Sequence, residues 1–394
     1  MPDVTFNLHV HQPRRIVKNY QSGHLFDEGL NKIVLDRCAE KSYLRTNAIL
    51  LEVLSDLKSF KMGMSISGVF LEECERQRPD VLESFQRIAQ TGQVEVLGET
   101  YYHSLASIYP DKDEFREQVR MHRDAIKSFL SPKAIGKVMR NTELILDNPT
   151  AREAEKLGFK GIFSEGTEKI LEWRSPNYVY KTPDSKIKVL LRNYRLSDDI
   201  GYRFSSKWWE EWPLTAEKFS HWLGVNPGQV VNVYLDYETF GEHHWQESNI
   251  FHFLKALPYF VDRNPHTQFL TPTEAVTKHE PVAELPLHWA ISWADMERDV
   301  SAWLGNNMQA QSFKRVQGME KQILQTKNAK LISQWRHLQT SDNLYYMCDK
   351  WWNEGDVHKY FSHYDTPKSA YHNYGRAMNN LLREAKDAVK KETA

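Results

Sequence analysis

Ten residues, Asp236 to Trp245, hold three acids (Asp236, Glu238, Glu242), two histidines (His243, His244) and three aromatics (Tyr237, Phe240, Trp245). They follow Val230-Val231-Asn232-Val233-Tyr234-Leu235, an apolar, β-branched run of the kind a buried parallel strand needs. The charge arrives where the strand stops. In α/β barrels chemistry collects at the C-terminal strand ends, where the loops leave room for a ligand. Asp236 and Glu238, spaced i, i+2, point the same way from an extended chain. Isolated Asp/Glu pairs are usually solvated turn residues, but the crowding of acids, imidazoles and rings here argues against that. Glu143 closes a second strand-like run, Lys137 to Asn141, so two strands can present carboxylates across one mouth. Glycosidic bond cleavage requires such a pair, one carboxylate as nucleophile and the other as proton donor. The two stand about 5–5.5 Å apart in retaining enzymes and roughly 6.5–9.5 Å apart in inverting ones.

The elements that must hold these acids recur along the chain as strand, polar rim, helix. Strand-like runs fall at Val4–His11, Lys61–Gly68, Gln93–Gly98, Lys137–Asn141, Gly161–Gly166, Ile187–Asn193 and Gln229–Asp236, with Phe269–Thr273 as a further terminal strand. Helical stretches lie between, near Tyr43–Leu57, Asp80–Thr91 and Lys112–Leu130, and in a helix opened by Pro149 and stopped at Gly158. Such alternation demands right-handed parallel crossovers. The expected class is α/β, an incomplete (β/α)7 TIM-like barrel followed by a C-terminal helical bundle. An open doubly wound sheet competes, but no glycine-rich phosphate loop follows any strand. Residues 1–300 are assigned to the barrel, with a helical insertion near 195–225, and residues 301–394 to the helical part. The insertion carries Trp208, Trp209, Trp212 and Trp222, which build a lid or subsite, or else pack a small helical cap. A charged helix is expected from about Ser369 to Lys391.

Composition narrows the function. Lys and Arg number 51 against 52 Asp and Glu, so no global field draws nucleic acid or an anionic membrane; neither is an expected partner. Twelve Trp and 18 Tyr exceed what such a core needs, and surplus rings often face ligands with stacking C–H faces, sugars among them. Cys38, Cys74 and Cys348 are odd in number and far apart, which fits neither a disulfide framework nor a zinc knuckle. With no basic and apolar leader and no long uncharged apolar run, a soluble, cytoplasmic protein is expected. Internal repeats are absent.

Five segments then carry a family resemblance: His11-Gln12-Pro13; Gly92 to His103, with Glu95, Glu99 and Tyr101-Tyr102-His103; Arg140-Asn141-Thr142-Glu143; Tyr234-Leu235-Asp236-Tyr237-Glu238-Thr239-Phe240-Gly241; and Trp293-Ala294-Asp295. In content and order they resemble the five motifs of glycoside hydrolase family 57, which includes α-amylases, 4-α-glucanotransferases, amylopullulanases and branching enzymes. The resemblance implies a (β/α)7 barrel with a helical C-terminal region, acting on α-glucans or maltooligosaccharides by a retaining double displacement without metal or other cofactor. Glu143 falls where the family has its nucleophile and Asp236 where it has its acid/base. His9, His11, Glu99, His103, Glu238, Phe240, Trp293 and Asp295 become candidates for substrate contact. One departure stands out: the family often has a tryptophan just before the glutamate, and here Val138-Met139-Arg140 precede it.

Glu143 must then stay ionised, with Arg140 and the histidines as candidate partners, while Asp236 must hold a proton through burial and a neighbouring negative charge. Alternatives remain open. The same site could transfer glucan rather than hydrolyse it, or His9, His11 and an acid could bind a divalent ion in a deacetylase-like barrel. His9 and His11 could be satisfied core histidines, Glu99 and His103 structural, and Asp295 a helix cap. His243 and His244 cannot both ligate one ion from an extended chain, since they face opposite ways.

Overall fold

The structure is a computed structural model that describes residues 2–265, 267–350 and 362–393. Nine strands occur among them: β1 (Asp3–Val10), β2 (Met62–Ile66), β3 (Val94–Gly98), β4 (Ile135–Met139), β5 (Gly161–Glu165), β6 (Tyr180–Lys181), β7 (Lys188–Arg192), β8 (Val230–Asp236) and β9 (Ala283–Glu284). Seven of them, β1 to β5 with β7 and β8, pair in parallel in the order 1-2-3-4-5-7-8 and close as β8 returns to β1. The short β6 and β9 only extend the sheet outward from β7.

The alternation in β1 explains the interior. Val4, Phe6, Leu8 and Val10 belong to the main apolar cluster with helix residues such as Leu50, Val53 and Phe85. Between them Thr5, Asn7 and His9 are buried polar residues that occupy the opposite face. Thr5 Oγ1 donates to Asn232 Oδ1 at 2.8 Å and Asn7 Nδ2 to Val233 O at 3.0 Å. A polar ladder thus climbs this wall of the barrel and ends at His9, with Asn7 Oδ1 left without a partner among the described residues.

One joint differs from the rest. β7 and β8 share a single register pair, Arg192 with Asn232, whereas β1 and β8 share seven. Side chains do much of the stitching there: Arg192 Nε donates to Tyr234 O at 2.9 Å and Asn232 Nδ2 to Leu191 O at 3.0 Å. Tyr234 N–H donates to Ser197 Oγ at 3.1 Å.

Helices form where caps predict them. Asp147 accepts from Thr150 N–H to open Asn148–Lys156, and Gly158 takes the φ of +87° that ends it. The segment 269–273, expected as a terminal strand, instead leads into a helix. Phe269 makes one bridge to Val4, and Thr271 then starts the helix Pro272–Lys278. Thr271 and Glu274 form a reciprocal capping box with proline in the first turn, which satisfies the free amides better than an edge pairing would. The insertion contains the helices Tyr194–Gly201 and Ala216–Val225. Its tryptophans divide: Trp209 and Trp222 pack edge to face, while Trp208 is 81 % exposed.

Beyond residue 300 the described chain is helical, from Ser301–Leu304 to the long Pro367–Thr393. Val316, Ile323, Leu331, Trp335, Tyr374 and Met378 form its core, and Ile16, Tyr20, Leu25 and Phe26 from the loop after β1 are buried in the same cluster. Each such side chain contributes about 1.5–3 kcal/mol on burial, so the helical region is held on the rim of the barrel where β1 ends. No helix among the described residues is long and apolar enough to cross a membrane.

Candidate active site

Glu143 sits in the turn Thr142–Leu144 just after β4, with φ of +56° at Glu143 and +53° at Leu144. Two consecutive non-glycine residues in the left-handed region cost about 1–3 kcal/mol each. Asn141 Nδ2 pins the turn through Ile145 O at 2.8 Å, and Trp293 N–H donates to Glu143 O at 3.3 Å. The strained turn hands the carboxylate three donors. Oε1 accepts from His103 Nε2 at 3.0 Å and from Ser341 Oγ at 3.1 Å, and Oε2 accepts from Trp293 Nε1 at 2.8 Å. Burial alone would raise its pKa, but the His103 contact, the Arg140 charge and the Trp293 bond together hold it down at about 2.

The tautomer of His103 follows from its other neighbour. Arg140 Nη1 lies 3.4 Å from His103 Nδ1, and a guanidinium can only donate. Nδ1 is therefore the acceptor, and the proton on Nε2 points at Glu143. Burial first, then the adjacent His11, push His103 down to about 4, so the ring is neutral at working pH.

Asp236 ends β8, half-buried, in register with His9 on β1. No described side chain donates to its carboxylate. Burial, then the negative charge of Glu143, push its pKa up to about 6, against the pull of Arg140 and Arg192. The two carboxyls are thus displaced in opposite directions, which in a shared site sorts an ionised role from a protonated one.

The remaining candidates separate. His9 stacks on His103 with centroids 5.0 Å apart, and His11 does so at 4.2 Å. His9 Nδ1 meets Ser65 Oγ at 2.7 Å, which reaches the Tyr234 hydroxyl at 2.7 Å. Burial drives His9 well below the usual imidazole range. Glu99 is fully buried at the end of β3 with neither oxygen hydrogen-bonded, and burial raises it to about 8. Glu238 accepts from Tyr43 and from Gln12 Nε2, and burial with the Asp236 charge raises it to about 8. Trp293 reaches both Glu143 and Arg140, whose guanidinium carbon stands 5.1 Å from the ring centroid. It supplies an aromatic beside Glu143 in a sequence that lacks one just before the glutamate.

Two candidates do not join this group. Phe240, which the family resemblance put forward, is fully buried in the main apolar cluster between barrel and helices, where the turn after β8 places it. Asp295 pairs with Lys350 Nζ at 2.7 Å rather than capping a helix. His244 is occupied by Ser205 Oγ at 2.8 Å and Gly201 O at 3.0 Å, apart from any ion-binding role.

His9, Glu99 and His103 bring one ligand atom each within 4.8 Å of one another, the trio a divalent ion would need. Arg140 Nη1 stands 3.6 Å from Glu99 Oε2 and 3.4 Å from His103 Nδ1. A fixed guanidinium already supplies positive charge there, and a second cation beside it would be repelled.

Other residues had not been expected. Arg192 bonds Glu165 Oε2 at 3.1 Å and Asp198 Oδ1 at 2.5 Å, with Arg298 on the same two acids and Trp293 above at 5.8 Å. Glu165 and Arg192 both end strands, so the rule that singles out Asp236 could have found them. Ser341, and Asp342 at 3.2 Å from His11 Nε2, come from the helical region, where no motif or spacing marks them.

A closed parallel barrel with carboxyls displaced in opposite directions at the ends of two strands suits a glycoside hydrolase, and the family comparison shows that class. Residues 5–288 match glycosyl hydrolase family 57, and the chain belongs to that family. It is 48% identical over 387 residues to a protein of Methanocaldococcus jannaschii named "Putative alpha-amylase", covering 94% of this chain and 82% of that one. Among solved structures, the GH57 branching enzyme of Thermococcus kodakaraensis superposes with a TM-score of 0.69 at 13% identity, over 97% of this chain and 91% of that one. The 4-alpha-glucanotransferase of Thermococcus litoralis gives 0.62 at 18% identity over 87% of this chain, which spans 56% of that enzyme. At these identities the two superpositions bear on the fold: a (β/α)7 barrel with a helical C-terminal region.

Proposed function

We propose that the chain is a retaining, α-amylase-like hydrolase of α-glucans, with Glu143 as nucleophile and Asp236 as acid/base. The opposite displacement of the two carboxyls, to about 2 and about 6, is the observation that supports it most. Ionised Glu143 attacks the anomeric carbon as Asp236 gives its proton to the departing glycosidic oxygen. The glycosyl ester removes the charge that had raised Asp236, which then takes a proton from the incoming water. His9, His11, Glu99, His103, Glu238 and Trp293 are proposed to line the sugar site. We assign residues 1–300 to the catalytic barrel, with its insertion near 195–225, and 301–394 to its helical companion. Three buried cysteines without a disulfide fit a soluble enzyme of a reducing cytoplasm.

A transferase reading of the same site is favoured by the similarity to the 4-alpha-glucanotransferase of Thermococcus litoralis, 26% identical over 119 residues. Incubation with maltooligosaccharides decides between them: shorter products alone mean hydrolysis, shorter and longer together mean transfer, and no change in chain length sinks both.

The pH dependence has a definite sign. Activity needs Glu143 ionised and Asp236 protonated, so kcat/KM is expected to be level between about 2 and about 6 and to fall roughly tenfold per unit above the latter. Rates across this range on a chromogenic maltooligoside check it; a profile that rises through pH 6 would mean that Asp236 does not supply the proton.

A further inference from the structure

The helical region reaches into the site through three consecutive residues. Thr340 bridges to Ser104, and Ser341 N–H donates to His103 O at 2.9 Å. Ser341 itself is fully buried, and its hydroxyl donates to Glu143 Oε1 at 3.1 Å. Asp342 Oδ2 takes the Thr340 hydroxyl at 3.0 Å and lies 3.2 Å from His11 Nε2. A segment nearly two hundred positions from Glu143 is therefore attached both to the carboxylate and to the backbone of the histidine that holds it.

The two oxygens of that carboxylate are not equivalent. Among the described residues, Oε1 carries two donors, the His103 imidazole and the Ser341 hydroxyl, and Oε2 carries one, the Trp293 indole. Resting on the reading of Glu143 as nucleophile, we propose that Oε2 is the attacking atom and that Ser341, delivered by the helical region, is a positioning residue that fixes Oε1 throughout the reaction. An Oε2 lone pair forms the bond to the anomeric carbon while the bond to the leaving oxygen breaks, its electron pair going to that oxygen with the Asp236 proton. Oε1 becomes the ester carbonyl and keeps both donors. In the second step water adds to the anomeric carbon, its proton passing to Asp236, and the carbon–Oε2 pair returns to Glu143. Negative charge then regrows over both oxygens. Donors already aimed at Oε1 stabilise that charge without reorganising, so Ser341 acts most strongly on deglycosylation.

Ser341→Ala, Ser341→Thr and Ser341→Cys in the full chain test this. On an aryl maltooligoside with a good leaving group, deglycosylation limits turnover. Ser341→Ala is expected to lower kcat roughly tenfold with KM unchanged or lower, and the threonine variant to recover most of it. The enzyme labelled with a 5-fluoro glycosyl fluoride should release its label correspondingly more slowly. A kcat within about twofold of the parent and an unchanged release rate would overturn the proposal, as would a rise in KM with kcat kept. If the alanine variant fails to fold, the cysteine variant, a weak donor of similar volume, carries the same readouts. The label itself separates this test from the underlying reading: found on Glu143 by mass spectrometry it leaves that reading standing whatever Ser341 does, and found elsewhere it removes both.

Discussion

Glu143→Ala should lower kcat on maltooligosaccharides by roughly 10³–10⁵-fold while the protein stays folded. The nucleophile is lost outright, and nothing else near the anomeric carbon can replace it: His103 is neutral and donates, and Asp236 is needed as the acid. Alanine takes the φ of +56° no less easily than glutamate, since both carry a Cβ, so the turn should survive. The charge balance shifts instead. Arg140 is fully buried and loses a partner, and Glu99, raised partly by the Glu143 charge and lowered by Arg140, should ionise more readily to replace it. Azide, small enough to enter the vacated space, should restore turnover and give a product of inverted configuration. A variant within tenfold of the parent rate would dispose of Glu143 as the nucleophile.

Asp236→Asn is expected to cost about 10²–10⁴ in kcat on natural glucans and much less on a substrate whose leaving group departs without a proton. The descending limb near pH 6 should vanish with it; a limb that persists unchanged belongs to another group. Stability moves the opposite way from activity. Asp236 has a folded-state pKa of about 6 above an unfolded value of about 3.9. The unfolded chain therefore binds fewer protons between those two values, and stability falls as pH rises through that window. Taking the ionised carboxyl away should raise Tm at pH 7, by about 1–3 kcal/mol in stability after allowance for its partial exposure, and leave it unchanged at pH 3. Paired melting curves at the two pH values read this directly.

Barrel strands were legible because their pattern is local. Val230 to Leu235 is apolar apart from Asn232, and β1 alternates polar and apolar residues as a strand does. The acids at β4 and β8 were legible for the same reason, since a charged residue at the end of such a run has few other places to point. What stayed hidden depends on chain segments far apart. The Ser341 hydroxyl and the Asp342 carboxylate reach the site because distant segments draw the helices onto the barrel, Ile16–Phe26 in one apolar cluster and Leu105 with Ile145 in another, and no periodicity within these segments encodes that meeting. Phe240, a candidate through the family resemblance, lies in the main apolar cluster past a one-turn helix at Tyr237–Thr239, a placement that the order of the motifs does not reveal. The 269–273 segment misled because a β-rich tripeptide precedes a capping box, and the cap prevailed.

The joint between β7 and β8 has a mechanical corollary. A strand tied by seven backbone pairs along one side and by one pair plus side chains along the other behaves as a door hung from β1. Thermal breathing should open the cylinder along that line before any other, carrying Asp236 with the moving leaf while Glu143 stays on the fixed frame. Amide deuterium uptake should accordingly be fastest on the β7-facing edge of β8, and an edge as slow as the one facing β1 would mean that the door is latched.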